Sequence, residues 1–234
     1  MVGEFVIKNK FSTFGNFNFS NLVIAFSRRS DGNMSLNCGD TANSLSNRYK
    51  FLKALGIDYQ SLVCAKQTHS ANITYVKAED RGKGALDYAS AIDNTDAFIT
   101  KEKNLPLAVF TADCLSIFLY DPKALAIGLV HAGFKGTLQD ISGKTVKLMQ
   151  KRLNTDPKNL YAIFGPAIRI CCYRPDETCP DLIELNKRQL LSCGIKEENI
   201  FDSGFCTYCQ NAEFFSFRKE GRASGRMISV IMLK

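Results

Sequence analysis

Only two histidines occur in the 234 residues, His69 in Gln67-Thr68-His69-Ser70 and His131 in Val130-His131-Ala132-Gly133. Cys114, in Thr111-Ala112-Asp113-Cys114, lies between two apolar runs and so belongs at a strand junction. His131 ends another such run, and the small residues after it, Ala132-Gly133-Phe134-Lys135-Gly136, let backbone and ligand approach closely. Two imidazoles and one thiolate form a zinc site with its fourth position open, the arrangement of catalytic rather than structural zinc; such a site lowers the pKa of bound water to about 7. Forty-five residues separate His69 from Cys114 and 17 separate Cys114 from His131, so no local finger holds them and the fold must assemble the site. The same residues also read as two hydrogen-bonded, half-buried histidines and a core thiol. A third reading is a metal-free hydrolase, with Cys114 as thiolate nucleophile and His131 or His69 as base.

The elements that would position these residues are mostly strands. Short apolar runs fall at Phe5–Ile7, Leu22–Phe26, Ile73–Val76, Ala97–Thr100, Leu107–Phe110, Leu115–Tyr120, Leu125–Val130, Leu160–Phe164 and Ile228–Leu233. Helical spacing marks Ser44–Leu55, where Leu45, Arg48 and Leu52 recur by threes and fours, and also Gln139–Leu153 and Pro180–Cys193. Gly56 and Gly194 sit just past two of these helices, where a left-handed cap is expected. Asp121-Pro122 reads as a hairpin-like turn, and the charged, glycine-bearing segment Glu79–Gly84 as a surface loop. With no internal repeat, linker or heptad pattern, the expectation is an α+β fold: one domain over residues 1–234, mixed β-sheet packed with helices.

Composition narrows the classes further. An apolar content of 45% and a charged content of 23%, with 16 Gly and 6 Pro, exclude disordered, collagen-like and low-complexity chains. No apolar run approaches the ~20 residues of a membrane helix, and Met1–Val6 alternates like a strand instead of opening a signal peptide, so no membrane association and a cytoplasmic location are expected. Nine cysteines, an odd number without an export signal, read as mostly reduced core thiols. The net charge of +7 suits anionic ligands, but it is spread along the chain with no finger, RRM signature or basic helix, so phosphate-bearing small molecules are expected and nucleic acid is not.

A run of motifs carries a resemblance over nearly the whole chain. Gln67-Thr68-His69, Asp96-Ala97-Phe98-Ile99-Thr100, Thr111-Ala112-Asp113-Cys114 and His131-Ala132-Gly133-Phe134-Lys135-Gly136 come first. Gly165-Pro166-Ala167-Ile168 with Cys171-Cys172-Tyr173, then Cys206-Thr207, then Phe215-Ser216-Phe217-Arg218 with Gly225-Arg226-Met227 follow in order, and Ser35-Leu36-Asn37 and Asn47-Arg48 extend the match toward the N-terminus. Together they resemble the purine nucleoside phosphorylase family once named multicopper polyphenol oxidases or laccase-domain proteins. The resemblance implies an α+β fold with one metal, usually zinc, on His69, Cys114 and His131. It also implies phosphorolysis of adenosine, inosine, guanosine and methylthioadenosine, and deamination of adenosine.

That chemistry suggests further roles. In deamination, zinc hydroxide would attack C6 of adenine, with Asp113 beside Cys114 as the candidate that moves protons. In phosphorolysis, inorganic phosphate attacks C1′ of the ribose, and Arg29, Arg48, Lys135 and Arg218 are candidates to hold it. Phe134 is placed to stack on a purine or to pack on the strand beneath. Where the family commonly reads His-Ala-Gly-Trp-Arg-Gly, this chain has Phe134-Lys135, which keeps an aromatic ring and a positive charge but loses the bidentate fork. Arg174-Pro175 replaces the usual Glu-Val, and a Gly-Gly-rich segment near Arg29 shortens to Ser30-Asp31-Gly32-Asn33; both bear on substrate preference and leave the triad intact.

Two histidines cannot furnish a type-1 copper plus a trinuclear cluster, although a single copper on the triad, and polyphenol oxidation by it, is the alternative that Cys plus two His admits. The resemblance also admits a Cys-His hydrolase acting on peptidoglycan precursors, and a non-enzymatic metal-holding or partner-binding module fits the sequence as well. The sequence admits a homo-oligomer. Cys206-Thr207-Tyr208-Cys209 is a lone C-x-x-C, and adjacent Cys171-Cys172 cannot close a low-strain disulfide, so both pairs read as core or near-site packing and not as a separate zinc or redox site. Gly221–Gly225 lacks the ending of a phosphate loop.

Overall fold

The computed structural model describes residues 20–173 and 180–234. Strands β1 (Leu22–Phe26), β2 (Ile73–Tyr75), β3 (Ala97–Thr100), β4 (Leu107–Thr111), β5 (Leu115–Asp121), β6 (Ala126–Ala132), β7 (Tyr161–Phe164), β8 (Ile200–Asp202) and β9 (Met227–Leu233) form two sheets. The smaller sheet has the order β1-β9-β4 and is antiparallel throughout. The larger is mixed, in the order β2-β3-β6-β5-β7-β8, with β2 parallel to β3, β7 parallel to β8, and antiparallel pairing between. Five α-helices accompany them among the described residues: α1 (Thr41–Ala54), α2 (Phe134–Leu138), α3 (Ile141–Leu153), α4 (Leu182–Ser192) and α5 (Phe217–Glu220). Each predicted strand run in the described residues forms a strand, within a residue or two at its ends. The run Phe5–Ile7 and the Arg174-Pro175 departure lie outside the described residues.

Three apolar clusters define four layers. Phe98, Phe118, Ile127 and Leu129 of the large sheet meet Leu107, Val109, Ile231 and Leu233 of the small one, filling the space between the sheets. The other face of the large sheet, with Ile99, Ile117 and Val130, packs on Val146, Met149 and Leu153 of α3 and on Leu190 of α4. The outer face of the small sheet, through Ala108, Ile228 and Val230, takes Leu52 of α1 together with Met34 and Leu62. Because the large sheet is covered on both sides, β3, β5 and β6 are buried along their whole length and read as continuous apolar runs. Each fully buried large side chain such as Phe98 or Phe118 contributes about 2–3 kcal/mol of apolar burial.

The helices begin and end as local chemistry dictates. Asp40 caps α1 by accepting from Asn43 N, and Asp181 caps α4 by accepting from Ile183 N and Glu184 N. Gly56 and Gly194 take φ of +70° and +93° just beyond α1 and α4, as the sequence indicates. The helix expected over Gln139–Leu153 forms as α3 from Ile141, and a further short helix, α2, precedes it, the two separated by Asp140 in a left-handed conformation at φ +62°. No described helix is long and apolar enough to cross a membrane.

The two sheets are joined by a crossing that carries one of the candidate ligands. After β4 the chain leaves the small sheet, bends through Ala112-Asp113-Cys114, and enters the large sheet as β5. Ser116 Oγ and Ser229 Oγ, 2.9 Å apart, link the two sheets just behind that bend.

Candidate active site

Three separate parts of the chain meet at one end of the β3-β6-β5 ladder. Cys114 immediately precedes β5, whose Ser116 lies opposite His131 in β6. Asp96 immediately precedes β3, and its carbonyl accepts from His131 N at 2.7 Å. His69 sits in the loop before β2 with φ +59°, a conformation uncommon for a residue with a side chain. The ligand-type atoms of His69, Cys114 and His131 all lie within 4.8 Å of one another, and the two imidazole rings cross nearly perpendicular at 4.8 Å between centroids.

Asp96 organises this group. Its side chain is fully buried, and Oδ1 lies 2.8 Å from His131 Nδ1 while accepting from His69 N at 3.0 Å. Oδ2 accepts from Ser70 N and Ser70 Oγ, both at 2.7 Å, and from Thr68 N at 3.2 Å. A carboxylate that accepts from three consecutive backbone N–H groups pins the 68–70 loop, and so holds His69 in its left-handed conformation. The bond to Nδ1 orients the His131 ring and leaves Nε2 for the cavity, the outer-partner role typical of metal-binding histidines. Burial alone would raise the Asp96 carboxyl, but the bonds and charge from His131 and the Ser70 donors outweigh it and hold the group well below the usual carboxylate range.

The same electrostatics prepare the other two groups. Burial pushes the Cys114 thiol up, yet the His131 charge and hydrogen bonds from both histidines bring it down to about 6. Burial pulls His131 down, while the Cys114 thiolate and Asp96 raise it to about 9. Between these values the metal-free pair is a thiolate beside an imidazolium, and a metal must displace the imidazolium proton. From this pair, zinc affinity is therefore expected to rise about tenfold per pH unit between pH 6 and 9. It should steepen below 6, where the thiol also holds its proton, and flatten above 9. Chelator competition across pH 5–10 measures that slope; a flat profile from 6 to 9 contradicts the pair.

Glycines allow the approach. A Cβ on Gly133 would stand 2.7 Å from His69 Cδ2 and 3.2 Å from Cys114 Sγ, and one on Gly136 would stand 2.6 Å from Ser70 O. The small residues after His131 thus let α2 lie directly against the His69 loop. Gly133→Ala is expected to displace the His69 ring and weaken zinc binding by roughly 10-fold or more, an outer-layer effect, with little change in the helix itself. Zinc titration beside far-ultraviolet circular dichroism separates the two effects.

The triad opens into a cavity of about 390 Å³, of a size to hold a small ligand. Phe110, Phe134, Tyr88, Tyr173 and Phe217 supply aromatic wall, and Arg48, Arg218 and Arg226 supply positive charge. Phe134 meets Tyr173 edge-on at 6.3 Å. Asp113, at φ +95°, faces the cavity, but its oxygens already accept from Thr207 Oγ1 and from Arg218 N, both at 2.6 Å. Arg48 is buried, donates to the carbonyls of Met34, Gly84 and Ala85, and lies over the Phe110 ring at 4.7 Å. Arg29 does not line the cavity: it donates to Asn211 O, Phe214 O and Glu220, tying down the segment that carries Phe217 and Arg218. Lys135 is exposed and also stands outside the lining.

Several residues at the site carry no role in the sequence reading: Asp96, Gln67, Tyr88, Tyr173 and Arg226. Gln67 pairs with the β4 end through Phe110 N and O, at 2.7 and 2.9 Å. Arg226 lies 5.4 Å over Phe217. The cysteine expectation needs correction. All eight described cysteines are free, but Cys171 and Cys209 are exposed. Cys171, Cys172, Cys206 and Cys209 converge into a second group of metal-type donors within 4.8 Å. Cys206 is buried, but the 165–173 segment and the loop after β8 run side by side and bring the two pairs together where Cys171 and Cys209 meet solvent, so the group as a whole is not core packing.

A family model described as multi-copper polyphenol oxidoreductase laccase matches residues 25–180 and 174–234. The purine nucleoside phosphorylase YlmD of Geobacillus stearothermophilus is 36% identical over 225 residues, covering 85% of this chain and 82% of that protein. The adenosine deaminase RL5 from an unknown prokaryotic organism is 28% identical over 220 residues, 83% and 84% of the two chains. The crystal structure of the Geobacillus YlmD has a TM-score of 0.88 to this chain at 34% identity, covering 92% of this chain and 93% of that one.

Proposed function

This chain belongs to the multi-copper polyphenol oxidoreductase laccase family that includes the YlmD purine nucleoside phosphorylases, and from that membership we propose that it is a zinc-dependent purine nucleoside phosphorylase that also deaminates adenosine. The observation that carries the reading is the placing of His69, Cys114 and His131 at the floor of a cavity with aromatic and cationic walls.

The donor set fits the metal: two imidazoles and a thiolate, with His69 exposed toward the cavity and the other two held on the sheet. When bound, zinc on this triad supplies Lewis acidity and an activated water. The chain's own residues do the rest. Asp96 holds His131 in its ligating orientation. The ring faces of Phe134, Tyr173 and Phe217 suit a planar purine. Arg218 and Arg226 suit phosphate, whose oxygen forms the new bond to C1′ as the bond from C1′ to the purine nitrogen breaks and the base takes up a proton. Asp113, engaged by Thr207 and Arg218 N, braces that wall as an acceptor.

Chromatography of protein incubated with adenosine, with and without inorganic phosphate, tests the reading. Phosphate-dependent adenine and ribose 1-phosphate are expected, with phosphate-independent inosine as the deaminase product. Adenosine recovered intact from a zinc-loaded sample overturns it.

A further inference from the structure

A second set of metal-type donors lies behind the cavity wall, and the nucleoside chemistry leaves it unused. Cys171 and Cys172 follow Ile168, whose N–H bonds Asp113 O, and Cys206 and Cys209 come from the loop after β8. Ala167 bridges Cys206, and Arg169 pairs with Asp202 and donates to Phe205 O, so the two segments run together. Cys171 Sγ lies 3.7 Å from both Cys206 Sγ and Cys209 Sγ, and Cys172 Sγ lies 3.3 Å from Cys209 Sγ. Four sulfurs held about 2.3 Å from one tetrahedral zinc stand about 3.8 Å apart, whereas a disulfide needs about 2.05 Å. Cys206-Thr207-Tyr208-Cys209 also has the two-residue spacing of a zinc knuckle.

We propose that Cys171, Cys172, Cys206 and Cys209 bind a second zinc ion in a closed four-thiolate site. All four positions are protein sulfur, the pattern of structural and not catalytic zinc. Binding is not a redox step: each thiol that becomes a ligand releases its proton to solvent as its sulfur bonds the ion. The ion clamps two segments, one of which lines the nucleoside cavity while the other holds a residue of its wall. Tyr173, next to Cys172, lines the wall beside Phe134, and Thr207, next to Cys206, donates to the Asp113 carboxylate. It also shields the exposed sulfurs of Cys171 and Cys209 from oxidation.

Elemental analysis of the whole chain, purified with reductant and without chelator, tests this apart from any activity. Two zinc ions per chain are expected, falling to one in Cys209→Ser and to one in Cys114→Ala. Cobalt-loaded Cys114→Ala then keeps the four-thiolate site alone and is expected to show strong thiolate-to-cobalt charge transfer with tetrahedral ligand-field bands. This variant decides the matter even where Cys209→Ser fails to fold. A folded Cys114→Ala chain without zinc, iron or copper in that position instead of zinc, or a Cys172 to Cys209 disulfide in reductant-free mass analysis overturns the proposal.

Discussion

Cys114→Ala is expected to remove one metal ion per chain and to reduce turnover of adenosine with phosphate to background, with melting temperature changed by a few degrees at most. The thiolate is the only sulfur at the triad, half-buried where the chain passes from the small sheet to the large one, and neither Asp113 nor Leu115 depends on it for backbone bonding. Losing a ligand outright costs more than the roughly 10–100-fold in metal affinity or activity that losing an outer partner costs. The fold keeps its core because no apolar cluster includes this residue. Metal removal from the wild type, which leaves the thiolate in place, distinguishes a metal enzyme from a thiol hydrolase: stripped protein that is still fully active would sink the zinc reading, since a Cys-His nucleophile survives chelation.

Asp96→Ala is expected to be the more damaging change to stability. It removes the acceptor for Thr68, His69 and Ser70 N–H and for His131 Nδ1 at once. Breaking the buried pair with His131 by removing one partner costs about 3–5 kcal/mol, and the part-buried loop donors can turn to water, so a loss of roughly 3–5 kcal/mol is expected in denaturant unfolding. The depressed Asp96 pKa sets the sign of the pH dependence: its contribution is present above the ordinary carboxylate range and is lost as pH falls toward the folded-state value. Asp96→Asn keeps the shape but offers an amide N–H where donors already converge, and zinc affinity should fall about 10–100-fold. Affinity within twofold of wild type would show that Asp96 does not position the ligands.

The two sheets were legible in the sequence because burial on both faces writes a strand as an unbroken apolar run, as in Leu115–Tyr120 and Ile228–Leu233. Strand β8 escaped notice because three half-exposed residues ending in an aspartate carry no period. Helix α2 escaped because Gly136 and Thr137 disguise it and Gly133 gives no capping signal. The triad could be named because histidine is so scarce, whereas Asp96 looked like any acidic residue ahead of a strand. Its importance comes from burial, which spacing does not record. Arg48 shows the same limit from the other side. It falls on the apolar spacing of its helix, and the structure buries it there, so the residue named as a candidate to hold phosphate serves three backbone carbonyls. The four-cysteine group was hidden because an adjacent pair does not match the two-to-four-residue spacing of familiar zinc ligands.

The strand at the middle of the small sheet also governs how the molecule is made. Leu22 of β1 lies opposite Leu233 of β9, and β4 depends on the same β9 for its other edge. During synthesis, β1 and β4 therefore wait with open edges until β9 has emerged. The segment from α5 onward that brings Phe217, Arg218 and Arg226 to the cavity arrives just ahead of that strand. The small sheet and the finished active-site wall thus come together in one late, long-range step, which makes slow acquisition of structure and a need for protection of nascent edges properties of this topology.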